Sequence, residues 1–396
     1  MNFPDKLRFS IIQIACYLAL PVVNLCIFIG SYKNTVSQFF FILFAFYFGY
    51  KTDCYLDLQN HYASIVYFLD STLAELFSNP ELKHLGTEPF HIIFKYIVFN
   101  INDSSRFFAG CSAAIYATMF ILYIRQYRQF YLQKLSTLQF LALCGMFFTV
   151  EYYWYLGLRY WTGAFFFMIF YSKYIFTNSR KYLYISFLSV LFHIAHLAVV
   201  FAVILNSLLG KKNTIRYILV VISFIYRSIS TSFLLLIGQI PYLNKFIKQS
   251  YLNPDMIASI QVNRSDYMRE YGNIIYQSRT DILFICCMLV LFSIWKHNEK
   301  VNYKYNKFYS FILTFLIIAN IGYSDITYFE RTYKFVTLLG FSYLFAVLGM
   351  PENKSTSNRI ITVILFIAIL FAIATTVVQQ REYLFDPLIW FGNFFI

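Results

Sequence analysis

Apolar runs close to twenty residues long recur from one end of the chain to the other, and no other feature limits the fold so tightly. They lie at about 9–30, 36–50, 104–123, 138–156, 158–176, 215–238, 281–296, 308–322, 328–349 and 359–378, with a further stretch at 182–209. A helix of about 20 apolar residues crosses a hydrocarbon core roughly 30 Å thick, whereas a surface helix of a soluble protein carries only an apolar stripe. Charged residues make up 13% of the chain and hydrophobic ones 59%, against roughly 25% charged in an ordinary soluble domain. By length alone 396 residues would hold two or three soluble domains, which this composition excludes. The expectation is an all-α, polytopic integral membrane protein with about 10–11 transmembrane helices in a single domain, 1–396.

A net charge of +13 is a nucleic-acid signal in a soluble chain. In one this apolar it reads instead as basic loops that fix topology, with no nucleic-acid partner. Arg125, Arg128 and Lys134 follow the third run, and Arg180 and Lys181 follow the fifth. Lys296, Lys300, Lys304 and Lys307 precede the 308–322 run, and Lys354 and Arg359 precede the last. Placing these inside puts 51–103, with Asp53, Asp57, Asp70, Glu75, Glu81, Glu88 and Asp103, outside as a loop with amphipathic segments. The second external loop is 239–280, and both chain ends face outward. Lys6 and Arg8 before the first run, with no small-residue cleavage site after it, read as a retained first span. The seven cysteines include no CxxC or Cys/His cluster, so neither a disulfide framework nor structural zinc is expected.

The 182–209 stretch decides the parity. As one long span it puts Lys211, Lys212 and Arg216 outside, against the charge rule. A turn near His193–His196 keeps them inside. Lys181 to His193 makes about 18 Å of helix, roughly half the membrane, and such a broken or re-entrant hairpin needs protein or a water-filled cavity around it. The hairpin is the reading adopted, with the single span as the alternative.

An ionisable side chain inside a span costs about 2.5–3.5 kcal/mol on insertion scales and marks a candidate site. Arg159, in Tyr-Leu-Gly-Leu-Arg-Tyr-Trp at the outer junction of two runs, has two open readings. It grips two phosphate oxygens, or it snorkels among aromatics. His193 and His196 fall nearly on one helical face. No third ligand supports a metal, leaving proton transfer, a phosphate or sugar hydrogen bond, or a structural role. Arg331 beside Glu330 is a substrate cation or half of a local ion pair. Arg264, Arg269 and Arg279, among Tyr251, Tyr267, Tyr271 and Tyr276, suit an anionic glycolipid or form a solvated loop. Asp53, Glu88 and Asp325 are the carboxylates best placed to face an external cavity, and no spacing selects one as a base. No nucleophile triad, phosphate loop or dinucleotide fingerprint is present.

Five pieces, in order, resemble the EpsG-like branch of the Wzy-type bacterial polysaccharide polymerases. Gly49-Tyr50-Lys51-Thr52-Asp53, with Tyr55, Tyr62 and Tyr67-Phe68, is similar to that family's Arg/Gly-x-Asp-x-x-x-Tyr loop. Glu88-Pro89-Phe90 is close to its Glu-Pro-Leu-Phe element. Gly157-Leu158-Arg159-Tyr160-Trp161-Thr162-Gly163 resembles its Gly-x-Arg-Gln span start, and Phe192-His193-Ile194-Ala195-His196 its Phe-His-x-Ser. Glu330-Arg331-x-Tyr333 is the last piece. Tyr160 stands where the family has Gln, His196 stands near its Ser, and the leading Arg of the first motif is missing.

The resemblance implies a GT-C-like membrane glycosyltransferase in the bacterial inner membrane, its active site facing the periplasm or exterior. It would join undecaprenyl-diphosphate-linked oligosaccharide repeats into a surface polysaccharide with lipid diphosphate as leaving group. It implies catalytic roles for His193, Arg159 and Arg331, and substrate binding by Asp53, Glu88, His196, Arg264 and Arg279. No metal or other cofactor is implied. Besides membrane lipids and the glycolipid, the implied partners are a flippase and a chain-length regulator. The alternatives are a lipid-linked glycan ligase or other membrane glycosyltransferase, and a glycolipid transporter or flippase, which predicts paired broken helices.

Overall fold

The computed structural model describes residues 34–54, 57–69, 71–79, 88–127, 135–149, 157–210, 213–227, 284–292, 303–322, 326–348 and 359–379, with isolated residues 11, 12, 28, 31 and 282. It is 90% helical with no strand among the described residues, in agreement with the all-α expectation. Most of the 9–30 run and the whole loop at 239–280, with Arg264 and Arg279, lie outside the described residues. The chain divides into two compact units, one of residues 1–131, 151–197 and 376–396, the other of 132–150 and 198–375.

The first unit is built around α1 (Thr35–Thr52), α5 (Ser105–Gln126) and α7 (Leu158–Thr177). Asn34 starts α1 by accepting the Val36 N–H at 2.9 Å, and Ser104 starts α5 by accepting that of Phe107 at 3.1 Å, side-chain oxygens serving donors that the first turn leaves unmade. α1 and α5 approach closely through small residues. A Cβ on Gly49 would stand 2.5 Å from the Ala109 carbonyl oxygen and 2.9 Å from the Ala113 Cβ, so only glycine lets the two backbones meet here. At 22 residues α5 is long and apolar enough to cross a bilayer, the one such helix among the described residues.

The stretch between α1 and α5 is folded. It holds α2 (Asp57–Ala63), a 3₁₀ turn at Ser64–Tyr67, α3 (Leu73–Ser78) and α4 (Pro89–Ile101). Leu58, Phe68, Leu76, Ile92 and Phe99 are buried in it. A capping box starts α3, where Thr72 and Glu75 bond each other's backbone N–H. α3 packs on α4, whose first residue is Pro89.

The 182–209 stretch is interrupted, as expected. α8 (Arg180–Phe187) gives way to a 3₁₀ turn at Leu188–Leu191, then His193 is extended at φ −158°, ψ 129°. A second 3₁₀ turn, Ile194–His196, leads into α9 (Leu197–Leu208). Neither proline nor glycine lies in the break, so its cause is the side chains it seats.

The second unit contains α6 (Thr137–Thr149), α9, α10 (Thr214–Arg227), helical residues 284–292, α11 (Tyr303–Ile321), α12 (Ile326–Leu348) and most of α13 (Arg359–Gln379). α10 packs on α11, and α12 on α6 and α11. The polarity of α10 runs opposite to that of a surface helix in a soluble bundle. α10 exposes Ile215, Ile218, Val221, Ile222 and Ile225 while it buries Arg216 and Ser223, and α9 exposes Leu197, Phe201, Ile204 and Leu208 while it buries Val199, Ala202, Val203 and Asn206. Arg216 is fully buried, so its place in the loop-charge argument is corrected by the structure. Its Nε donates to Asn206 Oδ1 (3.1 Å) and Thr314 Oγ1 (3.2 Å), and its Nη2 to the Asn206 and Gly210 carbonyls (2.8 Å each). It serves carbonyls at the C-terminal end of α9, where unpaired oxygens and the helix dipole favour a cation.

Candidate functional site

Glu88, Arg159 and His193, from three of the five sequence pieces, meet in the first unit. Glu88 immediately precedes α4. Its Oε2 accepts from Arg159 Nη1 at 2.8 Å, and its Oε1 accepts the Ile194 backbone N–H at 3.3 Å. The Glu88 side chain is 4% exposed and that of Arg159 21%, so the pair is sheltered without being closed off. Arg159 sits in the first turn of α7, directly after Gly157-Leu158.

The break places His193. Just before it, Phe192 wedges between Phe90 of α4 and Phe166 of α7, with ring centroids 4.4 and 4.8 Å away. The Nδ1 of His193 accepts the Ala195 N–H at 3.1 Å and stands 3.8 Å from Glu88 Oε1. A nitrogen that accepts a backbone N–H holds its lone pair there, so the proton is on Nε2. His193 thus offers a donor, and the group suited to accept a proton is the Glu88 carboxylate.

His196 is fully buried and donates from Nε2 to the Tyr160 carbonyl at 2.9 Å. The Tyr160 ring stacks on it at 5.0 Å. The two residues that depart from the resembled pattern, Tyr160 and His196, therefore touch each other. Gly163 makes room for them, since a Cβ there would lie 2.6 Å from His196 Nε2 and 2.9 Å from the Phe192 Cβ. Gly163→Ala is expected to displace His196 and the break with it and to cost about 1–3 kcal/mol. Thermal unfolding of the purified variant measures this, and wild-type stability would contradict the packing described.

The other sequence candidates are placed differently. Asp53 ends α1 at φ 61°, accepts the Cys54 N–H at 2.6 Å and faces Arg106 at 3.8 Å. None of these partners belongs to the Glu88 group. Burial, with the Asp53 charge adding, pushes the neighbouring Cys54 thiol up to about 12, so it stays protonated and is no nucleophile. Arg331 is half-buried on α12 in the second unit. Among the described residues no group of three or more His, Cys, Asp or Glu could hold a metal ion.

Sequence reasoning missed a second polar cluster beside Glu88. His91 and Lys95, both fully buried, face inward from α4. Lys95 Nζ donates to Ser64 Oγ at 2.7 Å and lies 5.6 Å from the Phe68 ring centre, and the His91 ring meets that of His61 edge-on at 4.4 Å. Burial, reinforced by the charges of Lys95, His61, Arg159 and His193, holds the His91 imidazole well below its ordinary range, so it is neutral. The signal was available: Glu88, His91 and Lys95 follow a helical i, i+3, i+7 spacing in an otherwise apolar run.

No protein-family model, curated protein or solved structure matches the chain.

Proposed function

We propose that the protein is a polytopic membrane glycosyltransferase. It joins lipid-diphosphate-linked oligosaccharide repeats into a surface polysaccharide at the outer face of the bacterial inner membrane. The membrane part rests on the inverted polarity of α10, which turns isoleucine, valine and phenylalanine outward and arginine and serine inward, and on the apolar exposed face of α9. Exposed apolar faces of this extent are covered by something, and lipid suits helices this poor in charge.

The observation that carries the chemistry is the convergence of Glu88, Arg159 and the His193 N–H at a partly open site. Glu88 takes the proton of an acceptor sugar hydroxyl as that oxygen bonds to the anomeric carbon. The bond from that carbon to the diphosphate oxygen breaks, and its electron pair leaves on the diphosphate. Glu88 takes one of the five guanidinium N–H groups of Arg159. Those left, with His193 Nε2–H, stabilise the charge developing on the leaving group.

The test is complementation of a polymerase-null host from the same glycan system with wild type and Arg159→Ala matched for expression, read as a glycan ladder on a gel. Wild type is expected to restore the ladder and Arg159→Ala to leave a single repeat on its anchor. A normal ladder from the variant would make Arg159 an interfacial arginine. A wild type that restores no ladder would move the reading to a ligase or a transporter.

A further inference from the structure

Two buried polar groups beside Glu88 are left without a partner. The Nε–H of Arg159 and both ring nitrogens of His91 are shut off from solvent and make no hydrogen bond. Buried polar groups in native proteins are nearly always paired, and an orphan calls for a water, an ion or a ligand atom. These orphans belong to linked residues. The His91 backbone N–H bonds the Glu88 carbonyl at 3.0 Å, and the Glu88 carboxylate bonds Arg159 at 2.8 Å. His91 also lies within electrostatic reach of Arg159, His193, His61 and Lys95. Arg159 is a permanent cation whose orphaned Nε–H can only donate, and the Glu88 carboxylate is already bonded to another of its N–H groups. A metal cation is a poor occupant of such a place, and an anionic oxygen a good one.

We propose that His91 and Arg159 line a buried subsite for an anionic ligand group, phosphate or carboxylate, to which each donates an N–H. This makes His91 a ligand-binding residue alongside Arg159, and it rests on Arg159 being a ligand-binding arginine. A phosphate would come from the lipid diphosphate, a carboxylate from an acidic sugar of the repeat.

The experiment is calorimetric titration of the full-length protein in lipid nanodiscs with inorganic diphosphate and, separately, with glucuronate. Wild type is expected to bind one of them, and which one identifies the source. His91→Phe keeps the ring's shape without its nitrogens and is expected to bind at least about tenfold more weakly, as befits a lost hydrogen bond to a charged group. His91→Gln restores an amide N–H and is expected to stay within roughly threefold of wild type. Should phenylalanine not be tolerated, His91→Leu makes the same comparison. A histidine that only fills space would give a His91→Phe protein of equal or greater thermal stability with unchanged binding, which would overturn the inference. If Arg159→Ala alone lost binding, the function reading would stand without this subsite. If wild type bound neither anion, both would fall.

Discussion

Glu88→Gln is expected to stop polymerisation at a single repeat and to lower stability, and a second change separates the two effects. The amide still accepts the Ile194 N–H, but it turns a donor toward Arg159 or leaves it a weaker acceptor. Removing one member of a buried pair costs about 3–5 kcal/mol. Because Arg159 keeps 21% of its side chain exposed, about 2–3 kcal/mol is the expected figure here. In Glu88→Gln/Arg159→Gln the two amides can pair, so thermal stability is expected to recover most of that loss while the ladder stays absent. A double variant that regained the ladder would show the ion pair to be structural and place the chemistry elsewhere.

The second large effect is expected in the other unit. Arg216→Leu removes a guanidinium that serves the Asn206 and Gly210 carbonyls, the Asn206 amide oxygen and the Thr314 hydroxyl. Each buried acceptor left unmade costs about 1–3 kcal/mol, and with two carbonyls among them a total of about 3–5 kcal/mol is expected. Arg216→Lys keeps the charge but lacks the planar fork that reaches these groups together, so it is expected to recover less than half. Chemical denaturation of the purified protein reads both variants, and a lysine variant as stable as wild type would show that charge alone suffices. Neither change is expected to alter diphosphate or glucuronate affinity in protein that remains folded.

Hydropathy located the helices because an apolar run announces itself without knowledge of its neighbours. The runs at 36–50, 104–123, 158–176, 308–322, 328–349 and 359–378 all fall on described helices. The helix is interrupted near His193, where a turn was expected, although Arg216, one of the three basic residues behind that expectation, is buried. What could not be read was which of the distant motifs meet. Glu88 and Arg159 are 71 positions apart, and Glu88 and Ile194 are 106 apart, separations at which spacing rules say nothing. Asp53 and Glu88 looked alike as acidic candidates, yet only Glu88 is drawn to Arg159. Arg216 misled for a different reason. A charge-pattern argument treats every arginine as solvated, while this one is matched by neutral oxygens of Asn206, Gly210 and Thr314. Asparagine at 206 and 213, both shortly before it, was the clue.

The hydrogen bond that the Ile194 backbone N–H donates to Glu88 also sets a clock. Glu88 leaves the ribosome 106 residues before Ile194 and 71 before Arg159. At about 5–20 residues per second, this carboxylate waits several seconds for its arginine and longer for the amide of the break. Until both arrive, α4 carries an uncompensated negative charge at its start, tolerable in water and costly in a lipid interior. The two Glu88 contacts therefore form only after the start of α7 and the break have been made. The order of the segment from 51 to 103 in the meantime comes from the Thr72–Glu75 box and the Lys95–Ser64 bond, whose partners are synthesised close together.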